Sequence, residues 1–488
     1  MSDNLKAKGI TAFIWDFTGK LASNGMGFII SIFLARLLEP SEFGLIAMVM
    51  VVIGIATVFS DSGLGVALIQ RRRVLPIHYS SVFYFNIFVA IVLGLVTFFS
   101  AGSIAEFYHN EELIPLAQVM SLSFIIGALS SVQSIRLRKE LNYSLLTKIG
   151  LISSLISGAI GITLAFKGAG VWSLVAHTLA AGIITNILLW ITSKWKPSLI
   201  FSLKALIQLW TFGFHVFLVS LLDAVFTRLD VLIIGKLFTP DILGFFSRAK
   251  SLNQMIISYA SGSLMAVLFP VLSKIQRDLP RFQNIIIKAF GIISFIVFLL
   301  LGIFYLIAEE LIVLLFSEKW LPSVDYFKIL VLTGFSVPLG VLLVSIIQSR
   351  GNSKLLFRID IYKKIFFVLN FYFGFLFGIE GYLYGLVGVT TIALLINIYY
   401  GAREISLSPY LFIKIGVTQL VISVVSVFII LSLTQPMEYS NFVMLVVKSN
   451  LFMLLYIIMS WILKTDAYLS FLEQIKTILD KIIKKISH

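Results

Sequence analysis

The stretch FLARLLEPSEFGL, residues 33–45, is a short polar turn between two long apolar runs. A diverged copy, LIIGKLFTPDILGF, occupies residues 232–245. The matched positions are Pro40 with Pro240 and Gly44 with Gly244, and both pairs are separated by 200 residues, since 240 − 40 and 244 − 44 are equal. A constant offset without a gap predicts that one structural unit is used twice along the chain.

The composition around these turns is that of a membrane protein. Of the 488 residues 59% are hydrophobic and 13% are charged, whereas soluble domains carry roughly 25% charged residues. Because a span needs about 20 apolar residues, the sequence predicts fourteen helices, near 12–36, 44–69, 79–101, 113–134, 146–166, 170–193, 209–235, 243–270, 285–307, 327–348, 357–377, 381–400, 410–432 and 443–463. The first run is too long for a cleaved signal peptide and is expected to stay as a membrane helix.

The basic residues alternate between connections. The two termini and every second loop hold 28 of the 38 Lys and Arg residues, and the opposite loops hold only Arg36, Lys167, Lys236 and Lys319. Basic loops stay in the cytoplasm, so both termini are predicted to be cytoplasmic. This topology accounts for the net charge of +14, and no nucleic-acid partner is expected because the charges form no single face.

The duplication predicts the domain organisation of an all-α polytopic membrane protein. Six helices per copy is an even number, so both copies enter from the same side and form parallel repeats. The predicted domains are a six-helix bundle at 1–200, its repeat at 201–402, two further helices at 403–465 and an amphipathic basic tail at 466–488. The tail should lie along the inner membrane surface.

Charged residues deep in these helices are candidate site residues, because each costs roughly 2.5–3.5 kcal/mol at mid-membrane and must face protein or water. The acids are Asp16, Asp61, Asp223 and Asp230, and the cations are Lys20, Arg228, Arg248 and Lys250. All lie in the first two helices of each copy. The two polar faces are therefore expected to meet across a central cavity that holds the substrate.

Each charge also has a simpler interpretation. Asp16 and Lys20 could neutralise each other at i,i+4 spacing, and Arg248 and Lys250 could reach the membrane interface. Arg228 has only Ala224, Val225, Val231 and Leu232 as helical neighbours. It therefore needs either an acid from another helix, such as Asp61, or an anionic ligand.

Motifs for catalysis are absent from the sequence. It contains no phosphate-binding loop, no nucleophile elbow or zinc-protease motif and no cysteine. A membrane glycosyltransferase would need larger outer loops than 308–326, the longest one here. We therefore expect a protein that is not an enzyme and that uses no metal or cofactor.

Four segments carry a resemblance to a known family. Residues 33–45, DSGLGVALIQ at 61–70, RLDVLIIG at 228–235 and LGFFSRAK at 243–250 resemble the Wzx-type polysaccharide flippases, in the branch that includes colanic acid exporters. These belong to the multidrug/oligosaccharidyl-lipid/polysaccharide exporter superfamily. The resemblance covers essentially the whole chain.

The resemblance implies a bacterial inner-membrane flippase for undecaprenyl-pyrophosphate-linked oligosaccharide units, moving them from the cytoplasmic to the periplasmic leaflet by alternating access. It implies that Lys20, Arg228, Arg248 and Lys250 line the cavity. The repeat itself predicts that the turns at Pro40 and Gly44 and at Pro240 and Gly244 are equivalent outer gates. The expected partners are the lipid-linked oligosaccharide and membrane lipids, with the polysaccharide polymerase machinery as a further candidate, and the acids Asp16, Asp61, Asp223 and Asp230 leave coupling to a proton or sodium ion open. A cation-coupled drug or small-solute antiporter of the same superfamily is the main alternative, and a non-transporting scaffold would leave the deep charges unexplained.

Overall fold

The structure, a computed structural model, describes the backbone of residues 2–193, 195–275, 278–434 and 439–486, and the side chains of these residues except those of 2–10, 13–14, 61, 258–271, 273–274, 477–479 and 481–486. Every regular element in these ranges is a helix. The α-helices are α1 (Ser2–Leu37), α2 (Pro40–Asp61), α3 (Leu64–Gln70), α4 (Pro76–Phe99), α5 (Ala101–Tyr108), α6 (Leu113–Met120), α7 (Leu122–Lys139), α8 (Tyr143–Phe166), α9 (Trp172–Thr192), α10 (Leu203–Leu237), α11 (Pro240–Ile275), α12 (Leu279–Leu306), α13 (Ala308–Phe316), α14 (Pro322–Thr333), α15 (Ser336–Ser349), α16 (Ser353–Glu404), α17 (Pro409–Thr434), α18 (Asn441–Ile462) and α19 (Asp466–Ile486).

Eleven helical stretches within the described residues are long and apolar enough to cross a membrane. This confirms the all-α polytopic class that the composition predicts. One of the eleven, α16, contains two residues with non-helical backbone angles, Phe377 and Gly378. The break lies where the sequence predicted one helix to end at 377 and the next to begin at 381.

The duplicated turn has the same boundaries in both copies. Helix α1 ends at Leu37 and α2 begins at Pro40, while α10 ends at Leu237 and α11 begins at Pro240. Proline suits the first turn of a helix because its missing N–H would have no partner there. The offset of 200 residues therefore holds for the helix boundaries as well as for the matched residues.

The single helix predicted at 44–69 is wrong, because the structure divides it. Ser62 and Gly63 have left-handed backbone angles, with φ of 47° and 68°, and they separate α2 from α3. A side-chain carbon at Gly63 would lie only 2.0 Å from the carbonyl oxygen of Gly213 on α10. Gly63 therefore admits the backbone of α10 at this break.

The chain packs as two compact units, Met1–Ser247 and Arg248–His488. In the first unit α3, α4, α7 and α10 share an apolar core that includes Leu68, Val82 and Leu209. In the second unit the core is centred on α12, which packs on α17 and α18 through residues such as Phe290, Phe412 and Phe452. The predicted domain boundaries remain predictions.

The tail helix α19 begins at Asp466 and contacts α12 with its first turns. The Phe471 ring lies 5.0 Å from that of Phe295, and Lys288 donates to Glu473 at 2.8 Å. Leu469 and Leu472 are exposed on the same helix. These contacts hold the start of the tail against the second unit, and its predicted place at the membrane surface remains a prediction.

Candidate substrate site in the membrane helices

Arg228 of α10 lies against α2 at a glycine. A side-chain carbon built on Gly54 would be 2.2 Å from the Arg228 Nε atom and 2.6 Å from Cζ. No residue larger than glycine fits there without displacing the guanidinium group. Gly54 therefore makes the space in which the Arg228 charge is held, half-buried within the first unit.

The Arg228 guanidinium has no protein partner in the part of the chain that the structure describes, where no hydrogen bond, ion pair or ring contact reaches it. The side chain of Asp61, the acid considered as its partner, lies outside the described residues. Asp223 is exposed on α10. Asp230 is only 5% exposed, and its carboxylate accepts from the Val231 N–H at 2.7 Å.

Asp16 and Lys20 form the local pair that their spacing allows. The Lys20 Nζ lies 2.6 Å from the Asp16 carboxylate, and the Lys20 side chain is 71% exposed. An exposed pair of this kind contributes at most about 1 kcal/mol. The α1 charges therefore neutralise each other in this conformation.

Arg248 is packed in the second unit rather than open. It is 8% exposed, and its guanidinium carbon lies 5.0 Å from the Phe316 ring centre and 5.4 Å from that of Trp320. Aromatic faces attract a cation at such distances. Lys250, two residues further along α11, is half-buried and also has a protein contact.

The two duplicated turns touch each other within the first unit. A side-chain carbon at Gly44 would lie 1.9 Å from the Pro240 carbonyl oxygen, and one at Gly244 would lie 1.9 Å from the Pro40 carbonyl oxygen. Each glycine therefore admits the backbone of the opposite turn. The contact is reciprocal, as expected for equivalent segments that face each other across a twofold axis.

Local hydrogen bonds support each turn. In the first, the Glu39 N–H donates to the Glu42 carboxylate at 2.7 Å. Beside the second, Lys236 donates to the Phe107 carbonyl and lies 2.9 Å from His109 Nε2. These bonds stabilise the ends of the helices that meet at Gly44 and Gly244.

The sequence pattern predicted the charged residues of the candidate site and missed the uncharged residues that contact them. Gly54 carries no charge, and Phe316 and Trp320 lie about 70 residues from Arg248, so no local pattern connects them with the arginines. Only the glycine at a matched turn position, as at Gly44 and Gly244, could have been recognised in advance. No group of three or more metal-ligating side chains occurs among the described residues.

The helices are those of a multi-pass membrane protein, and comparison with known proteins gives its family. Residues 33–325 match the family described as "Polysaccharide biosynthesis protein". This match spans more than half of the chain, so the protein belongs to that family. The resemblance to the Wzx-type flippases is thereby confirmed.

Two curated relatives align with most of the chain. One, an uncharacterized membrane protein in the cps region of Klebsiella pneumoniae, is 28% identical over 76% of this chain and 77% of its own length. The other, the lipopolysaccharide biosynthesis protein WzxC of Escherichia coli K12, is 25% identical over 81% of this chain and 80% of its own length. Together with the apolar helices, these relatives support a multi-pass protein of the bacterial inner membrane.

A solved structure has a similar fold. The lipid II flippase MurJ, in an inward closed conformation, superposes with a TM-score of 0.71 at 17% identity, covering 93% of this chain and 99% of its own. At this identity the likeness concerns the fold alone. The chain therefore shares this fold over nearly its whole length.

Proposed function

We propose that this protein is a flippase for undecaprenyl-pyrophosphate-linked oligosaccharides and that Arg228 binds the pyrophosphate. The observation that carries the proposal is the Arg228 guanidinium, which lies against Gly54 with no ion-pair partner in the described part of the chain. A cation in a membrane helix is costly unless a ligand or another charge faces it. Membership of a polysaccharide biosynthesis family supports an anionic, sugar-bearing ligand.

The chemistry of the substrate fits an arginine. A pyrophosphate with a hydrophilic glycan cannot cross hydrocarbon unaided, because its desolvation is not compensated there. The planar guanidinium can bind two phosphate oxygens at once, and such charge-assisted bonds are about twice as strong as neutral ones. Gly54 leaves the Arg228 group unobstructed by any side chain at that position of α2.

We infer fourteen crossings with both termini in the cytoplasm. The break at Phe377–Gly378 divides one of the eleven apolar stretches into two. Helices α10 and α11, which are 35 and 36 residues long, supply the remaining two. The proposed architecture is two six-helix repeats at 1–200 and 201–402, a helix pair at 403–465 and the tail at 466–488.

The duplicated turns are the proposed outer gate. Their reciprocal contact at Gly44 and Gly244 would close the periplasmic side while the substrate enters from the cytoplasmic leaflet, and the contact would separate when the substrate leaves. Helix ends that meet through glycine can separate without breaking a large side-chain interface.

The other charges take supporting roles in this proposal. Lys20 is a second candidate cation of the first unit, although Asp16 pairs with it in this conformation, and Arg248 and Lys250 stay predicted site residues of the second unit. The acids Asp16, Asp61, Asp223 and Asp230 are the candidates for coupling transport to a proton or sodium ion. Asp223 is the most accessible of those whose side chains are described.

The test uses cells in which the gene is deleted and complemented with variants. Arg228→Ala should abolish export and cause lipid-linked oligosaccharide to accumulate on the inner leaflet, at unchanged protein abundance. Arg228→Lys should restore export only partly, because an ammonium group keeps the charge and loses the two-pronged geometry. Deletion that changes drug resistance without such accumulation would favour the antiporter instead.

Loss of folded protein in Arg228→Ala would contradict the binding role. A buried ion-pair partner left alone costs about 3–5 kcal/mol, and this would appear as low abundance. The matched control is Gly388→Ala, a substitution in α16 at a glycine with open space around it. It should leave both abundance and export unchanged.

A further inference from the structure

Two cavities in the first unit are lined by apolar residues and by a cluster of hydroxyl groups, with one charged residue at the second cavity. They have volumes of about 290 and 270 Å³, close to the lower limit of about 300 Å³ for small-molecule sites. Ser123 and Gly127 of α7 line both cavities, so the two adjoin. The other walls come from α2, α3 and α9.

Helix α7 presents its polar residues to the cavities along one face. Ser123, Gly127, Ser130, Ser134 and Arg138 follow one another at intervals of three or four residues and all line one or both cavities. This interval places side chains on a single helical stripe. The opposite walls add hydroxyl groups from Thr57, Ser60, Thr178 and Thr185.

Several of these hydroxyl groups have no hydrogen-bond partner in the part of the chain that the structure describes. Ser60 is 9% exposed and the Ser123 hydroxyl is fully buried, yet neither forms a hydrogen bond there. Thr57 and Thr178 donate to the Ile53 and Leu174 carbonyls at 2.6 and 2.9 Å. Their oxygens can still accept, so the cavities offer both donors and acceptors.

Arg138 adds one positive charge to the second cavity. Its neighbours at the end of α7 are engaged elsewhere, because Arg136 pairs with Glu140 at 2.8 Å and Lys139 donates to the Leu68 carbonyl at 2.6 Å. Arg138 itself is exposed and forms no ion pair with any described residue.

These features exclude two simple occupants. A lipid chain would leave the Ser60 and Ser123 hydroxyls buried against hydrocarbon, at a cost of roughly 1–3 kcal/mol each. A metal or sodium ion would face the positive Arg138, and no carboxylate whose side chain the structure describes lines either cavity. The lining instead suits a polyhydroxylated ligand with an acidic group.

We propose that these cavities bind the sugar next to the pyrophosphate, with the hydroxyl groups of α2, α7 and α9 contacting its ring and Arg138 contacting an acidic substituent such as a uronic carboxylate. The inference rests on the proposed function, because it places a second part of the same lipid-linked substrate. It assigns recognition of the glycan to the first unit.

The test measures binding of three probes to the purified full-length protein in lipid nanodiscs. The probes are undecaprenyl pyrophosphate, the same lipid with one glucose, and the same lipid with one glucuronic acid. The unmodified protein should bind the glucuronic acid probe at least about tenfold more tightly than the sugar-free lipid, the effect of one charge-assisted hydrogen bond.

Two variants separate the parts of the site. Gly127→Leu fills open space beside both cavities and should remove the preference for either sugar, while Arg138→Gln should remove only the preference for glucuronic acid over glucose. Neither should change the affinity for sugar-free lipid. The controls are Gly388→Leu, also at open space, and Arg136→Gln, and both should behave like the unmodified protein.

Equal binding of all three probes, or a sugar preference that survives Gly127→Leu, would overturn the assignment and mean that the cavities hold only water. Arg228→Ala should weaken all three probes alike. If it changes none of them, the proposed pyrophosphate site fails, and this outcome is distinct from loss of the sugar preference alone.

Discussion

Arg228 and Arg248 are 20 residues apart in sequence, and their surroundings differ in kind. Arg228 lies half-buried against Gly54, with no protein partner among the described residues. Arg248 lies between Phe316 and Trp320 and is nearly fully buried. The sequence pattern is the same for both, a cation in one of two neighbouring membrane helices. In the structure one guanidinium has no partner among the described residues, and the other packs between aromatic rings.

The second unit contains another charged side chain that is buried in a membrane helix and held by protein groups. Lys448 of α18 forms a buried ion pair with Glu310 of α13. Removing one member of such a pair leaves the other charge uncompensated. Charges that are paired within the fold hold helices together, so Arg228, which has no charged partner among the described residues, is the stronger candidate for contact with substrate.

We expect the largest loss of transport when the two duplicated turns are locked together. Their separation is the proposed motion that would give the substrate access to Arg228 from each side of the membrane in turn. Cysteines at Ser41 and Asp241, in a chain that has none of its own, should cross-link because the two turns touch at Gly44 and Gly244. Transport in proteoliposomes should stop completely and return on reduction. Full transport with the cross-link formed would show that the turns do not separate.

The next largest effect should come from filling the space beside Arg228 without changing any charge. Gly54→Leu would displace the guanidinium group, because even a single added carbon would lie 2.2 Å from Nε. Since a misplacement of about 1 Å can cost about 100-fold in rate, we expect export to fall by about that factor. Export is measured as lipid-linked oligosaccharide reaching the periplasmic leaflet.

The double variant makes this prediction specific. If Gly54 acts only through Arg228, Gly54→Leu should weaken the binding of undecaprenyl pyrophosphate to the otherwise unmodified protein and should not weaken it further in Arg228→Ala, since two changes to one interaction do not add. Gly388→Leu is the control at a glycine with open space. Normal export by Gly54→Leu would mean that the position of the Arg228 group does not matter.

Some of these features could be predicted from sequence and others could not. The turn boundaries at Pro40 and Pro240 were predictable, because proline and glycine recur at one offset and set local backbone geometry. The contacts of α10 at Gly63 and Gly54 were not, because they depend on packing between distant helices. The spacing of residues along a helix predicts which of them share a face, but it does not predict which distant helix packs against that face.

A smaller effect, on stability rather than transport, is expected at Arg248. Arg248→Ala removes the cation between two aromatic rings and leaves a space, which should cost about 2–4 kcal/mol and lower the melting temperature in detergent. Arg248→Lys should lose less, because it keeps the charge. Export per folded molecule should change by less than about twofold.

If Arg248→Ala kept the melting temperature of the unmodified protein but lost export, the roles of the two arginines would be reversed, and Arg248 would be the residue that contacts the substrate. Phe316→Leu serves as the matched variant, because it disturbs the same packing without touching a charge. A melting temperature that falls in both variants would confirm that the aromatic contacts are what hold Arg248.

The smallest effect is expected for Asp16 and Lys20, whose ion pair is exposed to solvent or lipid headgroups on the Lys20 side. Exposed pairs contribute about 0–1 kcal/mol, so Asp16→Ala, Lys20→Ala and the double variant should melt within a few degrees of the unmodified protein. Export by Lys20→Ala should fall by no more than about fivefold, because the pair already neutralises the cation in this conformation. If Lys20→Ala instead matched the loss in Arg228→Ala while Asp16→Ala exported normally, Lys20 would have to leave its carboxylate during the cycle and contact the pyrophosphate itself.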